Sequence, residues 1–389
     1  MSKLCSVPWQ EIYINPELQY SLCCKEDQAL TQKIPISNHS LSDHWNGEYI
    51  NNIRSRFLNN VNLPECDLCW NEENLNKISM RMRKNERYFG KTEISEHDLI
   101  GAEKNPKGIL LSVGNQCQLR CISCNPNYSR SILKDYDKLN WDYNVKSRFN
   151  IKNSSYTTTS LDQHTVNQLK NITPSLEWLS ITGGEPTLSK PLLEYLNWCV
   201  DKGYSKNIII MINTNGVNVK DNFLRTLEKF KYVLFSISVD GYKELDEYLR
   251  WPTNWNKKEK LVKTSIDIFP KVILHSVVYS LNCFNVHDLI NWMTTFNAES
   301  SLETLHYPNE LAVEHIPSEL KLQLIKKIKN FKLNNKNTYL QNCIDALVAR
   351  LNIVGNNLKW EQCKHIITAY DSIRETKLYN LVPELKGYY

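Results

Sequence analysis

Cys117-Gln118-Leu119-Arg120-Cys121-Ile122-Ser123-Cys124 sets three cysteines in a C-x3-C-x2-C spacing, directly after the β-rich run Gly108 to Val113. Three thiolates can hold three irons of a [4Fe–4S] cube and leave the fourth iron without a protein ligand, which makes it a place for chemistry. A structural zinc ion wants four ligands and a closed tetrahedron, and no fourth Cys or His lies close in sequence. The loop also carries Gln118, Arg120 and Asn125, a polar setting that a chance group of buried thiols would not have. The reading is an iron–sulfur site on Cys117, Cys121 and Cys124.

From about Lys107 onward, β-rich runs alternate with helical stretches, the pattern of a parallel sheet with helix crossovers. The expected strands are Gly108 to Val113, Glu177 to Thr182, Asn207 to Asn213, Tyr232 to Val239, Lys271 to Tyr279 and Leu302 to His306. The expected helices are Leu161 to Asn171, Pro191 to Lys202, Asp221 to Phe230, Trp255 to Ile268 and Val286 to Phe296. The clearest strands run into polar or glycine-rich segments, at Asn115, Gly183-Gly184, Asn215-Gly216 and Asp240-Gly241. Polar chemistry is thus expected at the strands' C-terminal ends, where parallel α/β folds place their sites.

The cysteine triad resembles the signature of the radical S-adenosylmethionine (radical SAM) enzymes, and later segments agree with that family in order. Their fold, a partial (β/α)6 TIM-type barrel, is an α/β class with the six strands counted above. Thr182-Gly183-Gly184-Glu185-Pro186 is similar to the family's GGEP segment: the glycines let the backbone approach a ligand and the carboxylate binds the methionine ammonium. Asn213-Thr214-Asn215-Gly216 resembles the T-N-G turn, with Asn213 taken as a SAM contact. Ser236-Ile237-Ser238-Val239-Asp240-Gly241 followed by Arg250 resembles the fourth-strand S-x-D-G segment, with Ser238, Asp240 and Arg250 at the ribose and carboxylate. One departure is Ser123, where the family usually has an aromatic residue. The resemblance covers about Lys107 to Glu310.

Ahead of it stand Cys5-x2-Pro8-Trp9, Cys23-Cys24, Trp45-Asn46-Gly47-Glu48 and Cys66-x2-Cys69-Trp70. Two separated cysteines plus a C-x2-C pair make four thiolates, enough for an iron–sulfur cube or a zinc tetrahedron. The layout resembles the cluster-binding half of SPASM and twitch domains, which implies an auxiliary [4Fe–4S] cluster on Cys5, Cys23, Cys66 and Cys69, with Cys24 as the alternative to Cys23. Two departures stand out: Leu18 lies near the place of the usual glycine turn, and the module precedes the barrel where familiar members carry it afterwards. The domains expected are 1–90, the auxiliary cluster module; 105–312, the radical SAM partial barrel; and 313–389, a helical C-terminal extension.

The remaining features bound the function. The chain has 389 residues, 47 Lys and Arg against 42 Asp and Glu, a net charge of +5 and 41% hydrophobic residues. That is ample for a packed core and too weakly basic to argue for nucleic acid. No apolar run approaches a membrane span and no signal layout opens the chain, so a cytoplasmic location is expected. Twelve cysteines in a reducing compartment then serve as metal ligands or core thiols, not disulfides, with Cys199, Cys283, Cys343 and Cys363 assigned to the core. The polar stretch from about Asn125 to Ser160 reads as an insertion over the site or a plain surface excursion. Leu320, Leu324, Ile325, Ile328 and Phe331 recur at helical spacing, with Lys321, Lys326, Lys327, Lys329 and Lys332 expected on a solvated face.

By resemblance, the chain would cleave SAM reductively to a 5′-deoxyadenosyl radical that takes hydrogen from a peptide or protein side chain. An electron donor such as flavodoxin or ferredoxin is implied. A nucleoside, sugar or other small molecule is the alternative substrate, and no residue stands out as a catalytic proton donor. A zinc-binding, nucleic-acid-binding module without catalysis is the rival from another class, which nothing at Gly183 to Pro186 requires.

Overall fold

In a computed structural model of the protein, Glu11–Ile14 forms a strand, β1, buried along its whole length. The structure describes residues 4–26, 32–74, 78–101, 105–138, 158–331 and 338–389. Their packing divides the chain into two units. One comprises Met1–Gln116, Thr158–Ile212 and Asp221–Val233; the other comprises Cys117–Thr157, Asn213–Lys220 and Leu234–Tyr389.

In the first unit, β1 runs antiparallel to β2 (Gln19–Ser21), which runs antiparallel to β3 (Ile34–Pro35). The β1–β2 turn is held by Asn15, whose Oδ1 accepts from the amides of Glu17 and Gln19 at 2.9 and 3.0 Å. Leu18 closes that turn at φ +57°, so a leucine adopts the left-handed conformation for which the expected glycine would be suited. Helices α1 (Leu41–Asn46), α2 (Glu48–Leu58), α3 (Asp67–Asn74) and α4 (Met80–Phe89) follow.

The chain then returns as β4 (Gly108–Ser112), parallel to β1. Burying Glu11 within β1 is possible because Lys84 and Tyr88 of α4 bind its carboxylate, Tyr88 Oη at 2.8 Å. Gly108 leaves room for this, since a Cβ there would meet Tyr88 Oη at 1.9 Å. After α5 (Gln163–Ile172), strand β5 (Trp178–Thr182) joins β4 in parallel. Beyond α6 (Lys190–Asp201), β6 (Ile209–Thr214) joins β5 in parallel, and α7 (Asp221–Leu227) follows. The three strands before β4 had no counterpart among the sequence expectations.

Strand β7 (Tyr232–Ser238), which belongs to the second unit from Leu234 on, leads through α8 (Glu244–Leu249) and α9 (Trp255–Ile268) to β8 (Lys271–Val278), parallel to β7. Then α10 (Val286–Met293) leads to β9 (Glu299–Thr304), parallel to β8. All six expected parallel strands are present, most within two residues of their expected bounds, and α9 matches its expected span. The chain is thus α/β, with strand pairing that is parallel except at β1–β2 and β2–β3 among the described pairs.

The last part is helical: α11 (Ser318–Asn330), α12 (Thr338–Leu351) and α13 (Asn357–Arg374). The α11 stripe of Leu320, Leu324 and Ile328 is buried as expected, but the Lys face is not uniformly solvated. Lys321 is buried and donates to the Ile353 carbonyl at 2.7 Å. Lys327 donates to the Phe284 carbonyl and to Glu384, at 3.0 and 2.9 Å. Both stems are long enough to lie along the apolar side while the ammonium reaches an oxygen. Lys332 lies outside the described residues, as does 139–157, the middle of the expected insertion. Among the described residues no helix is long and apolar enough to cross a membrane.

Candidate functional site

The three cysteines of the C-x3-C-x2-C loop lie together in the second unit. Cys117, Cys121 and Cys124 pack on one small apolar cluster with Leu119 and Val217. The loop owes its shape to backbone anchors: Arg120 and Ile122 donate to the carbonyls of Trp251 and Leu249, at 2.6 and 3.0 Å. Arg374, at the end of α13, donates to the Arg120 carbonyl at 2.8 Å and binds Asp135 at 3.1 Å. Asp135 in turn binds the Arg120 side chain, so one buried carboxylate ties the C-terminal helix to the loop. Ser129 and Ser131 donate to the carbonyls of Leu119 and Cys117, each at 2.6 Å.

Electrostatics mark these thiols as costly to ionise without a counter-charge. Burial pushes the Cys121 thiol above its ordinary pKa, against the pull of the Arg250 guanidinium. Burial does the same for Cys124, and the charges of Cys121 and Cys117 add to it. Two N–H groups point at Cys117 Sγ: the Leu119 amide at 3.4 Å and Asn215 Nδ2 at 3.6 Å. Asn215 also holds the loop through Gln118, and its own Oδ1 accepts from the Val217 amide at 2.9 Å. The expectation named Asn213, which is exposed. Asn215, two residues on, is the side chain that reaches the cysteines, and its signal was the turn Asn215-Gly216 itself.

Asp240 and Arg250 form an ion pair at 2.7 Å, both largely buried. The Asp240 carboxylate also accepts from the Val277 amide at 3.0 Å, and its own amide donates to Asp246 at 2.9 Å. Asp246 is paired with the wholly buried Lys258, which also donates to the Ser238 carbonyl at 3.2 Å. Ser238, Asp240 and Arg250 thus sit on a built ionic frame that sequence reading did not anticipate. Arg250 Nε is buried with no hydrogen-bond partner among the described residues. Tyr279 and Cys283 are buried, Cys283 in keeping with the core role assigned to it.

The Gly183-Gly184-Glu185-Pro186 segment lies in the first unit, and its glycines serve the protein's own backbone. Gly183 has φ +120°, and a Cβ on Gly184 would stand 2.2 Å from the Gln116 carbonyl oxygen. The amides of Gly184 and Glu185 donate to the carbonyls of Gly114 and Gln116, at 2.7 and 2.8 Å. Glu185 is 1% exposed. Its Oε1 caps the turn Pro186–Leu188 by accepting from the Thr187 amide and hydroxyl, at 3.1 and 2.7 Å.

The N-terminal cysteines also lie in the first unit. Cys5 and Cys66 pack on a core of Leu4, Trp9, Leu22, Ile53, Phe57, Leu63 and Trp70. Burial pushes the Cys5 thiol up to about 12, and the Cys69 charge adds to it. Burial likewise raises Cys23, with Cys24, Cys5 and Cys66 adding, and raises Cys66, with Cys5 and Cys69 adding. Cys5 and Cys66 therefore link Cys23 to Cys69, and Cys24 acts on Cys23 as well. Cys24 is exposed, and the charges of Lys84, Glu11 and Lys25 also act on its thiol. Among the described residues no group of three or more His, Cys, Asp or Glu is arranged to hold a single metal ion.

Residues 111–291 match the family model of the Radical SAM superfamily. The chain is 26% identical over 243 residues to an uncharacterized protein of Methanocaldococcus jannaschii, covering 61% of this chain and 74% of that one. Among solved structures it is similar to native anSMEcpe with bound AdoMet and Cp18Cys peptide, at 16% identity and a TM-score of 0.40, over 57% of this chain and 58% of that one. It is also similar to Streptococcus suis SuiB bound to S-adenosylmethionine, at 16% identity and a TM-score of 0.38, over 68% and 59%. The chain thus spans less than two thirds of the length of these two solved chains.

The family implies a [4Fe–4S] cluster and SAM. The donor set of the loop fits the cluster: three gathered thiols, with N–H groups aimed at one sulfur, are the complement of ligated thiolates. The match to the Radical SAM model over residues 111–291, a little under half of the chain, supports an enzyme.

Proposed function

We propose that the chain is a radical SAM enzyme acting on a peptide or protein side chain, with Cys117, Cys121 and Cys124 holding the SAM-binding [4Fe–4S] cluster. The observation that carries this reading is the gathering of the three thiols on one apolar cluster, with Asn215 Nδ2 and the Leu119 amide directed at Cys117 Sγ. When bound, the cluster would supply the electron that cleaves SAM to methionine and a 5′-deoxyadenosyl radical able to take hydrogen from a substrate. The protein's own part is positional. Arg374 and Asp135 fix the cysteine loop, and Asn215 orients Cys117. Asp240, held by Arg250 and the Val277 amide, keeps a carboxylate at the end of β7 for the SAM ribose, with Ser238 beside it. Gly183, Gly184, Glu185 and Pro186 are proposed to receive the methionine end of SAM, and Asn213 to flank it.

In the same reading, residues 1–90 act as a SPASM/twitch-like module with a second [4Fe–4S] cluster on Cys5, Cys23, Cys66 and Cys69, residues 105–312 as the radical SAM unit and 313–389 as an extension. What supports the second cluster is the packing of Cys5 and Cys66 on one core, with Cys5 and Cys66 acting on Cys23 and Cys69 acting on Cys5 and Cys66. A flavodoxin or ferredoxin is the proposed electron donor, and the cytoplasm the proposed location. The peptide preference rests on the resemblance to SPASM and twitch proteins.

The test is anaerobic reconstitution with iron, sulfide, SAM and dithionite, followed by mass spectrometry for 5′-deoxyadenosine. Two cubes give roughly 8 Fe per chain, and a Cys66→Ala, Cys69→Ala variant keeps about half of that while still cleaving SAM. A Cys117→Ala, Cys121→Ala, Cys124→Ala variant that made 5′-deoxyadenosine at the wild-type rate would overturn the reading. Roughly 4 Fe and one Zn per chain would make the N-terminal site structural zinc.

A further inference from the structure

Between α1 and α2 the first unit holds an open cavity of about 520 Å³ that none of the chemistry above uses. Its wall includes His39, Asp43, His44, Glu48, Tyr49 and Asn52. The two helices are joined by the single residue Gly47, which is why the residues at their adjoining ends face one space. A Cβ on Gly47 would lie 2.6 Å from the Asp43 carbonyl oxygen, so glycine is what permits so abrupt a junction. Glu48 opens α2 and Asn52 follows one turn later on the same face.

Three observations define what the cavity would hold. First, Asp43 and Glu48 are exposed, and among the described residues neither has an ion-pair partner. Among the described residues no Lys or Arg belongs to the wall. Second, His44 is 3% exposed, and its Nδ1 is buried with no hydrogen-bond partner. Burial holds its pKa down to about 4, with the charges of His39 and Arg54 adding, so at neutral pH it is an uncharged ring with a polar atom to be satisfied. Third, that ring is part of a flat aromatic stack, 4.3 Å from Tyr20 with planes 9° apart and 6.2 Å from Tyr49. The cavity therefore offers two carboxylates beside the His44 and Tyr49 members of an aromatic stack.

We infer that this cavity receives a guanidinium group, the side chain of an arginine residue in a peptide. A guanidinium is planar, stacks on aromatic faces and presents five N–H donors that fork onto carboxylates. An ammonium matches the charge but not the flat stack. The location bears on the proposed reaction. Tyr49, in the cavity wall, also packs against the core that carries Cys5 and Cys66. A captured arginine would hold its peptide beside the N-terminal thiol set, so the inference deepens the peptide reading by naming the residue recognised.

The experiment is calorimetric titration of the intact protein, without SAM or reductant, with N-acetyl-arginine N-methylamide. The probes beside it are the lysine and citrulline counterparts and free L-arginine. Citrulline keeps the shape and loses the charge. The arginine amide should bind, with citrulline and lysine each roughly tenfold weaker or more. An Asp43→Asn, Glu48→Gln variant should lose a similar factor with an unchanged unfolding midpoint, since both side chains are exposed. Equal binding of citrulline, or unchanged arginine binding in that variant, would sink the site. Equal binding of lysine would sink the guanidinium assignment, and binding of free arginine alone would sink the peptide assignment. The readout involves no turnover, so its failure leaves the SAM-cleavage test standing, and failure of SAM cleavage leaves this one standing.

Discussion

Asn215 directs its Nδ2 at the sulfur of Cys117, 3.6 Å away, while its Oδ1 is held by the Val217 amide. A hydrogen bond to a cluster thiolate stabilises the more negatively charged, reduced state and raises its potential. Asn215→Leu should therefore leave iron content near wild type and shift the midpoint of the SAM-binding cluster to lower potential. The net loss in stability should be about 1 kcal/mol for the missing hydrogen bonds. An electron-paramagnetic-resonance redox titration reads the shift; an unchanged midpoint would remove Asn215 from the cluster's surroundings.

Glu185 calls for a gentler substitution than its loop position implied. A surface carboxylate would be lost at little structural cost, but this one is buried and caps the turn at Thr187. Glu185→Ala should cost about 1–2 kcal/mol through the lost cap. Glu185→Gln keeps the accepting oxygen and removes only the charge. In the proposed role, the Gln variant should retain its unfolding midpoint and bind SAM at least about tenfold more weakly, because its ammonium partner loses a charge-assisted bond. SAM titration of both variants, beside urea unfolding, separates charge from cap.

Leu18 holds a left-handed backbone at φ +57° in the β1–β2 turn. That conformation costs an L-residue about 1–2 kcal/mol, while glycine brings back about 0.5–1 kcal/mol of extra unfolded-state entropy. Leu18→Gly is expected to stabilise the protein by a few tenths up to about 1 kcal/mol. A urea midpoint that falls in this variant would mean that packing by the leucine side chain outweighs the strain.

His44 makes stability depend on pH. Its folded pKa, about 4 through burial, lies below the ordinary 6.5. The unfolded chain thus binds the extra proton between those values while the folded one does not. The contribution is fully present above about pH 6.5 and is lost as pH falls toward 4, up to about 3 kcal/mol in all. His44→Gln should flatten that part of the profile. Urea unfolding at pH 7.0 and 4.5, wild type against variant, gives the comparison.

The parallel strands and the cysteine loop were legible because their signals are local: β-rich runs ending in polar turns, and three thiols within eight residues. What escaped the sequence depends on distant partners. Glu11 looks out of place in a buried strand until Lys84 and Tyr88 are brought to it from more than seventy residues away. Lys321 reads as solvent-facing until Ile353 supplies a carbonyl. The choice of Asn215 over Asn213 turns on where β6 stops and the chain turns inward, a matter of one or two residues that composition does not resolve. Cys23 and Cys24 are equivalent in sequence and differ only once the fold sets Cys23 near Cys5 and Cys66 and Cys24 near Lys84 and Glu11.

The seating of β1 against β4 also decides how the protein can be handled. β4 is flanked by β1 on one side and β5 on the other, and its Ile109 and Leu111 are fully buried. A shortened chain beginning at residue 105 would strip β1 away and leave the backbone amides and carbonyls along that side of β4 unpaired. Such an apolar, ragged margin is a template for another copy to add its own strand. Preparations made that way should be oligomeric or precipitate, and a lost activity in them would report self-association of the exposed strand before it reported anything about the N-terminal cysteines.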